Sequence, residues 1–408
     1  LEFRRVLSDL FQFYEENNLE PFSSWSNALS YIDERQGNKK LVLVIDEFPY
    51  LVKKNRALLS EFQHLIDHKL TNGKLFLILS GSYMGFMEKE VLGSNSPLFG
   101  RRTAQLHMKP FTYQTSSKFM TGFSDEEKLM LYGAYGGTPL YLQQINEKES
   151  FEENIKRTYL KVTSYLYEEA LLLLRQEVQE PGVYSAIIEA IASGYTKANE
   201  ISTKIGEDSA KCLKYIKILC ELGILHKETP FGEKESSRKT IYGISDFMFR
   251  FWYRYVFTNR TLIETGAQQV VWEKRIKPDY CSYMGLVFEK VCMDYLNSKN
   301  ARGELPILYT SIGRWWGTNA ATHGQEEIDL IANDGKDYLF GECKWRNEKL
   351  DISVLKDLKA KADVFRINRK NSYYVLFSKS GFTEAVLNEV RSDDSILLVD
   401  LAELMTSC

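Results

Sequence analysis

The sequence predicts an α/β protein of several domains, and three stretches carry that expectation. Residues 41–48 read LVLVIDEF, five consecutive apolar residues running into the acidic pair Asp46-Glu47. Residues 75–79 form a second continuous apolar run, separated from the first by one helical pattern. Strand, helix, strand with no polar alternation in either strand indicates a parallel sheet buried on both faces. Beyond residue 283 the order helix, three strands, helix, strand predicts a further α/β segment.

Taken in order, residues 1–36 read as two helices joined by Pro21-Phe22-Ser23-Ser24, a turn and cap. A strand is expected over 39–48 and a helix over 56–70, where Leu59, Phe62, Leu65, Ile66 and Leu70 recur at helical spacing. Asn72-Gly73 turns the chain into the strand 75–79, which ends at Ser80-Gly81-Ser82. Residues 112–179 are mostly helical, broken at Gly136-Gly137-Thr138-Pro139. Helices follow over 183–193, 196–205 and 208–222, then two short strands around a polar tip at 232–239. Three compact helices and a hairpin are the outline of a winged helix-turn-helix. An aromatic-rich helix after Asp246 leads to a helix over 283–297 and strands over 307–309, 327–332 and 338–345. A helix over 354–365, a strand over 373–378, a helix over 384–390 and a strand over 396–399 complete the chain. The domains expected are therefore 1–111, 112–179, 180–245 and 246–408.

Composition narrows the function classes. With 408 residues, a formal charge of -3, 44% hydrophobic and 13% aromatic residues, the chain is globular in type and no general polyanion binder. The six cysteines form no C-x-x-C pair and no Cys/His cluster, as expected of reduced thiols in the cytoplasm. No apolar run reaches the length of a membrane span, so no membrane partner is expected.

Asp46-Glu47 at the end of a buried strand matches the second nucleotide-site motif of P-loop ATPases. There the Asp holds Mg²⁺ through its water shell and the Glu polarises the attacking water. Ser80, at the end of the neighbouring strand, is placed to sense a γ-phosphate, and Arg101 or Arg102 to meet the charge of phosphoryl transfer. The competing readings are a solvated sheet edge for the acidic pair and a loop salt bridge for either arginine. The phosphate loop G-x-x-x-x-G-K-[ST] occurs nowhere in the chain. With Leu1 in place of Met, this leads us to expect a truncated N-terminus. Weak or absent ATP·Mg binding by these 408 residues is expected, which calorimetry measures.

LVLVIDEFPYL, the LSGS strand ending and SPLFGRR make residues 39–111 resemble the archaeal-type ATPase family. This is a prokaryotic AAA-like group within the signal-transduction ATPases with numerous domains. Gly-Gly-Thr-Pro-Leu-Tyr-Leu at 136–142 resembles that family's helical lid. The resemblance implies ATP and Mg²⁺ as cofactors, a winged helix, and a C-terminal domain of restriction-nuclease-like fold.

The second chemical candidate lies in that last domain. Centring a two-residue turn on Asp334-Gly335 sets 329 opposite 340 and 327 opposite 342. Glu327, Asp329, Glu342 and Lys344 then share one face, and Ile328, Leu330, Leu339 and Cys343 the other. Two carboxylates beside a lysine suit metal-dependent phosphodiester hydrolysis: the carboxylates hold Mg²⁺ and the ammonium steadies developing charge. The pattern is similar to the PD-(D/E)XK nuclease motif, with Glu289 matching the helical glutamate such enzymes often add. The plainer reading is a salt-bridged strand pair.

Lys211, Lys214 and Lys217 recur along the third helix of the winged unit, with Lys234, Arg238 and Lys239 at its tip, a placement that suits DNA phosphates. Glutamates dilute the charge, so a protein partner competes with duplex DNA. The aromatic run Phe247, Phe249, Phe251, Trp252, Tyr253, Tyr255, Phe257 reads as a buried helix rather than a base-stacking platform. Two functions remain: an ATPase coupled to a DNA-binding, DNA-cleaving domain, or a non-catalytic regulator with an inactive nuclease-like fold.

Overall fold

The computed structural model describes residues 25–36, 40–70, 75–81, 84–319, 323–365 and 369–406. The first expected helix, the Asn72-Gly73 turn and Ser82 lie outside them. The chain divides into two compact units, Leu1–Met108 and Lys109–Cys408.

In the first unit, helix α1 (Trp25–Gln36) precedes strand β1 (Leu41–Ile45), helix α2 (Phe48–Lys54), helix α3 (Leu58–Leu65) and strand β2 (Leu75–Leu79). The strands pair in parallel, Leu41 opposite Leu75 through Ile45 opposite Leu79. Leu43 and Leu75 pack with Leu29, Phe48, Val52 and Phe62 in one core. The other face departs from expectation: Val42, Val44, Phe76 and Ile78 are exposed. Among the described residues the helices cover only one side of this two-stranded sheet, so burial alternates although the sequence does not. Gly81 is required where β2 ends, because a Cβ there would lie 2.5 Å from Cδ of Pro49 at the start of α2.

The second unit opens with helices that announce themselves by their caps. Helix α4 (Asp125–Tyr135) starts from Ser124 and helix α5 (Phe151–Tyr159) from Ser150, each with a reciprocal glutamate three residues on. Helix α6 (Tyr165–Glu177) leads to α7 (Pro181–Ala192), α8 (Ala198–Ile205) and α9 (Ser209–Glu221). Strands β3 (Leu225–Glu228) and β4 (Ile241–Ile244) then form an antiparallel hairpin. Helix α10 (Phe247–Phe251), capped by Asp246, continues through a wider turn at Trp252–Val256. This segment is core: Phe247, Phe249, Phe251, Trp252, Tyr253 and Tyr255 are all buried. Arg254 binds Asp279 through two hydrogen bonds of 2.7 and 2.8 Å, and the Tyr255 hydroxyl donates a third. The Arg254 hydrogen bonds hold the Asp279 carboxyl below its ordinary range. A lowered folded pKa makes this stabilisation complete above the ordinary carboxylate pKa and lost as pH falls through the folded value. Asp279→Asn is accordingly expected to flatten the acid limb of a stability-versus-pH curve measured by urea unfolding, with wild type losing stability more steeply in acid.

The long helix α11 (Tyr280–Ala301) is followed by strands β5 (Ser311–Thr318), β6 (Gln325–Asn333) and β7 (Tyr338–Lys344). Helix α12 (Ile352–Val364), strand β8 (Ser372–Ser378), helix α13 (Glu384–Ser392) and strand β9 (Ile396–Asp400) complete the domain. The five strands lie in the order β5-β6-β7-β8-β9, antiparallel up to β7 and parallel beyond it. Phe288 and Tyr295 of α11 pack against Trp345 and Phe377 on one side. Leu355 and Leu358 of α12 and Val386 of α13 join Phe340 and Leu376 on the other.

Three sequence expectations need correction here. Residues 307–309 are not a strand, because Asn300 of α11 takes both backbone groups of Tyr309 at 3.0 Å and leaves none for a ladder. The β6–β7 register is shifted by two, Leu330 facing Gly341 and Asn333 facing Tyr338. The turn is longer because Oδ1 of Asp334 accepts the N–H groups of Lys336 and Asp337 at 2.9 and 2.8 Å. Finally, a bulge between Gly313 and Trp315 sets Trp315 against Ile328, which packs with Ile331 and Phe340. Residues 328–332 are buried without a break, Leu330 and Ala332 in the core on one face of the sheet and Ile328 and Ile331 in the core on the other.

Candidate functional site

The site begins where β6 parts from β7. The described ladder ends at Leu330 and Gly341, and beyond it the Asp329 side chain takes over a backbone role: Oδ2 accepts the N–H of Cys343 at 2.8 Å. Continuing the register places Asp329 beside Glu342. Because the register shift is two residues, it preserves the faces and brings the two carboxylates closer than the sequence implied. Lys344 Nζ lies 2.5 Å from Oε1 of Glu342 and 3.8 Å from Oδ2 of Asp329. Glu342 is buried, and Lys361 of α12 also reaches it, at 3.2 Å. Lys361 was not legible, since nothing in its helical spacing marks it as facing β7.

Glu327 does not join this group. Three steps of β6, Ile331 to Ile328, face two of β5, Gly313 to Trp315, so the extra residue lies in β6, and Glu327 pairs instead with Arg314. Glu289 of α11 stands behind Asp329, and its nearest cation is Arg314 at 3.4 Å, an ion pair without hydrogen-bond geometry. Arg314 also reaches Glu228 at 3.3 Å. Burial, then the charge on Asp329, pushes Glu289 up to about 8, against the pull of Arg314. Asp329 is pushed up to about 6 by burial and then by Glu342, with Lys344 opposing. Burial alone would lower Lys344, but the charges of Asp329 and Glu342 outweigh it and raise it.

Asp329, whose proton affinity is raised by burial and by the neighbouring buried Glu342, marks a place where a divalent cation would remove a repulsion. Among the described residues no set of three or more His, Cys, Asp or Glu side chains converges for a metal. Arg314 keeps Glu289 from acting as a third ligand in this arrangement. The donors therefore fit Mg²⁺, which takes one or two carboxylates and keeps much of its water, rather than an all-protein cage.

The other predicted residues lie in the first unit. Asp46 follows β1, and its Oδ1 accepts the Ser80 hydroxyl at 2.6 Å and the Glu47 N–H at 3.0 Å. The ends of β1 and β2 are thus cross-tied, as Ser80 N–H also donates to Ile45 O at 3.0 Å. Glu47 sits at φ 51°, ψ 37°, a left-handed conformation that costs a non-glycine residue about 1–2 kcal/mol. Strain of this kind gathers at functional positions. Arg101 is committed elsewhere: it grips Asp67 at 2.7 and 2.8 Å and the carbonyl of Pro97 at 2.9 Å. Arg102 pairs with Gln105. The structure brings Asp46, Glu47 and Ser80 together and ties the two arginines to structural partners. On α9, Lys211 pairs with Glu207 at 3.2 Å and Lys217 with Glu221 at 4.0 Å, while Lys214 is exposed.

Residues 4–145 match the family described as an ATPase domain predominantly from Archaea, and residues 252–360 match one described as Archaea bacterial proteins of unknown function. A relative from Methanocaldococcus jannaschii, the uncharacterized protein MJECL04, is 36% identical over 369 residues, covering 90% of this chain and 80% of the relative. The chain belongs to the archaeal-type ATPase family. A second protein of the same organism, uncharacterized protein MJ0424, is 42% identical over 52 residues, covering 13% of this chain and 50% of that protein. Among solved structures, Can2 from Sulfobacillus thermosulfidooxidans in complex with cyclic tetra-adenylate aligns over 93% of this chain and 94% of its own. The TM-score there is 0.22 with 11% identity. In this archaeal-type ATPase, Asp46, Glu47 and Ser80 fall within the segment that matches the ATPase domain, and Glu289, Asp329, Glu342 and Lys344 fall within the second matched segment. Among the described residues no helix is long and apolar enough to cross a membrane.

Proposed function

We propose that this archaeal-type ATPase carries a Mg²⁺-dependent phosphodiesterase site in its C-terminal domain, acting on duplex DNA. The supporting observation is the pairing of Asp329 with Glu342 at the parting of β6 and β7, with Lys344 Nζ 2.5 Å from one and 3.8 Å from the other. Asp329 and Glu342 would hold the ion, which supplies an activated water and positive charge at the scissile phosphate. The chain's own contribution is preorganisation: the Cys343 N–H fixes the Asp329 carboxylate, and Lys361 and Lys344 orient Glu342. Lys344 is cationic and half-buried, placed to stabilise charge on the attacked phosphate.

The α7–α9 bundle with the β3–β4 hairpin supports a winged helix-turn-helix. Lys214 and the exposed Lys234 and Arg238 near its tip are the cations that would meet phosphates. ATP with Mg²⁺ at Asp46, Glu47 and Ser80 would act as the switch, in a cytoplasmic protein.

A second reading has its own observation. Lys361 on Glu342 and Arg314 on Glu289 already neutralise two of the acids, as in a domain that binds DNA or a protein without cutting. Incubation with duplex DNA and Mg²⁺ or Mn²⁺ separates the two. Cleavage lost in Asp329→Ala supports the phosphodiesterase; no cleavage with either ion, or cleavage that survives the substitution, favours the non-catalytic regulator.

A further inference from the structure

The second unit encloses a cavity of about 630 Å³ between the β3–β4 hairpin, α10 and α11. Its size is that of small-molecule sites, commonly about 300–1,000 Å³. One part of the wall is apolar, including Ile241, Leu286 and Met293. Another part is charged, with Arg250, Arg254, Lys290 and Arg314 beside Glu228 and Glu289, and the cations are not equivalent. Arg254 is bound by Asp279 and Lys290 by Asp294, whereas Arg314 is shared among three glutamates. Arg250 has no such carboxylate. Its guanidinium lies over the Tyr283 ring at 4.5 Å, and its Nη1 is buried with no hydrogen-bond partner among the described residues. A buried guanidinium nitrogen without an acceptor is costly, and an anionic group in the cavity would satisfy it.

The hairpin is built to leave room here. His226 faces Gly243 across the strands, and a Cβ on Gly243 would come within 2.5 Å of the His226 ring. Glycine at this position lets the imidazole lie flat against the hairpin. The protein around His226, then the charges of Arg314, Lys290 and Arg250, lower its pKa.

We propose that this cavity binds a small organic anion, an acid group on an apolar body, with Arg250 as its counter-ion. The acid group pairs with the free guanidinium nitrogen and the body lies along Leu286, Met293 and Ile241. Glu289, which stands behind Asp329, and its partner Arg314 also line this cavity, but the proposed ion pair is made by Arg250 and uses neither Asp329 nor Glu342.

The test uses the fluorescent sulfonate 1-anilinonaphthalene-8-sulfonate as probe, with uncharged N-phenyl-1-naphthylamine as its neutral counterpart. The 408-residue chain is expected to bind the sulfonate saturably. Arg250→Gln is expected to weaken that binding about tenfold, the loss of one charge-assisted hydrogen bond, and to leave the neutral probe unchanged. Leu286→Trp, at a position exposed enough to tolerate the larger ring, is expected to weaken both probes by narrowing the cavity. Competition by decanoate or by phenyl phosphate identifies a carboxylate or a phosphate ester as the preferred acid. Unchanged sulfonate affinity in both variants, or failure of both anions to compete, overturns the proposal.

Discussion

Lys344→Ala is expected to reduce metal-dependent DNA cleavage by about 10²–10³-fold, the usual cost of removing one preorganised group that stabilises transition-state charge. The side chain touches both acids of the site, so its ammonium is the positive charge closest to where a phosphate would meet the ion. Metal binding is expected to survive and even to strengthen. Removing Lys344 deletes a competitor for Glu342 Oε1, and Lys361 remains to orient that carboxylate. Asp329→Ala is expected to behave differently, because it removes a proposed metal donor and the acceptor of the Cys343 N–H. Isothermal titration with Mn²⁺ beside a cleavage assay distinguishes these outcomes. A Lys344→Ala protein that cleaves at the wild-type rate would refute the assigned role, whereas equal loss of metal affinity and cleavage would make Lys344 a scaffold for the acids.

Trp252→Ala is expected to destabilise the second unit by about 3–5 kcal/mol, the range for deleting a large aromatic side chain from a packed core. Trp252 is fully buried, and its indole N–H donates to the carbonyl of Tyr167 at 2.8 Å. Its ring also meets Tyr253 and Phe257. Truncation leaves a cavity and removes the indole hydrogen bond, while the Tyr167 carbonyl keeps its place in the α6 ladder. Urea unfolding followed by circular dichroism reads this as a lower midpoint. A shift equivalent to less than about 1 kcal/mol would place the segment outside the core.

The parallel pairing of β1 with β2 was legible because unbroken apolar runs ending in polar residues have few other uses. The acid–lysine group was legible through strand alternation, which a register shift of two residues leaves intact. The register itself was hidden, since it depends on Asp334 capping two N–H groups and lengthening the turn. The bulge at Gly313 was hidden too, and with it the diversion of Glu327 to Arg314. An aromatic run around Trp252 announced a buried helix, yet not that Tyr167 would receive the indole.

The order of residues therefore determines the chain's membership of the archaeal-type ATPase family, its strand and helix sequence, and the chemistry available at Asp46, Glu47, Asp329, Glu342 and Lys344. Those properties are local: they follow from periodicity and from residue type within a few turns or strands. Which charges meet is decided only by packing. Lys361 reaches Glu342, Arg314 draws off Glu289 and Arg101 is spent on Asp67 because separate elements converge. The cavity around Arg250 has the same origin, as its wall comes from a hairpin and two helices that are distant in the chain. Electrostatic partnership acts over a few ångströms in space, and no spacing along the sequence encodes it.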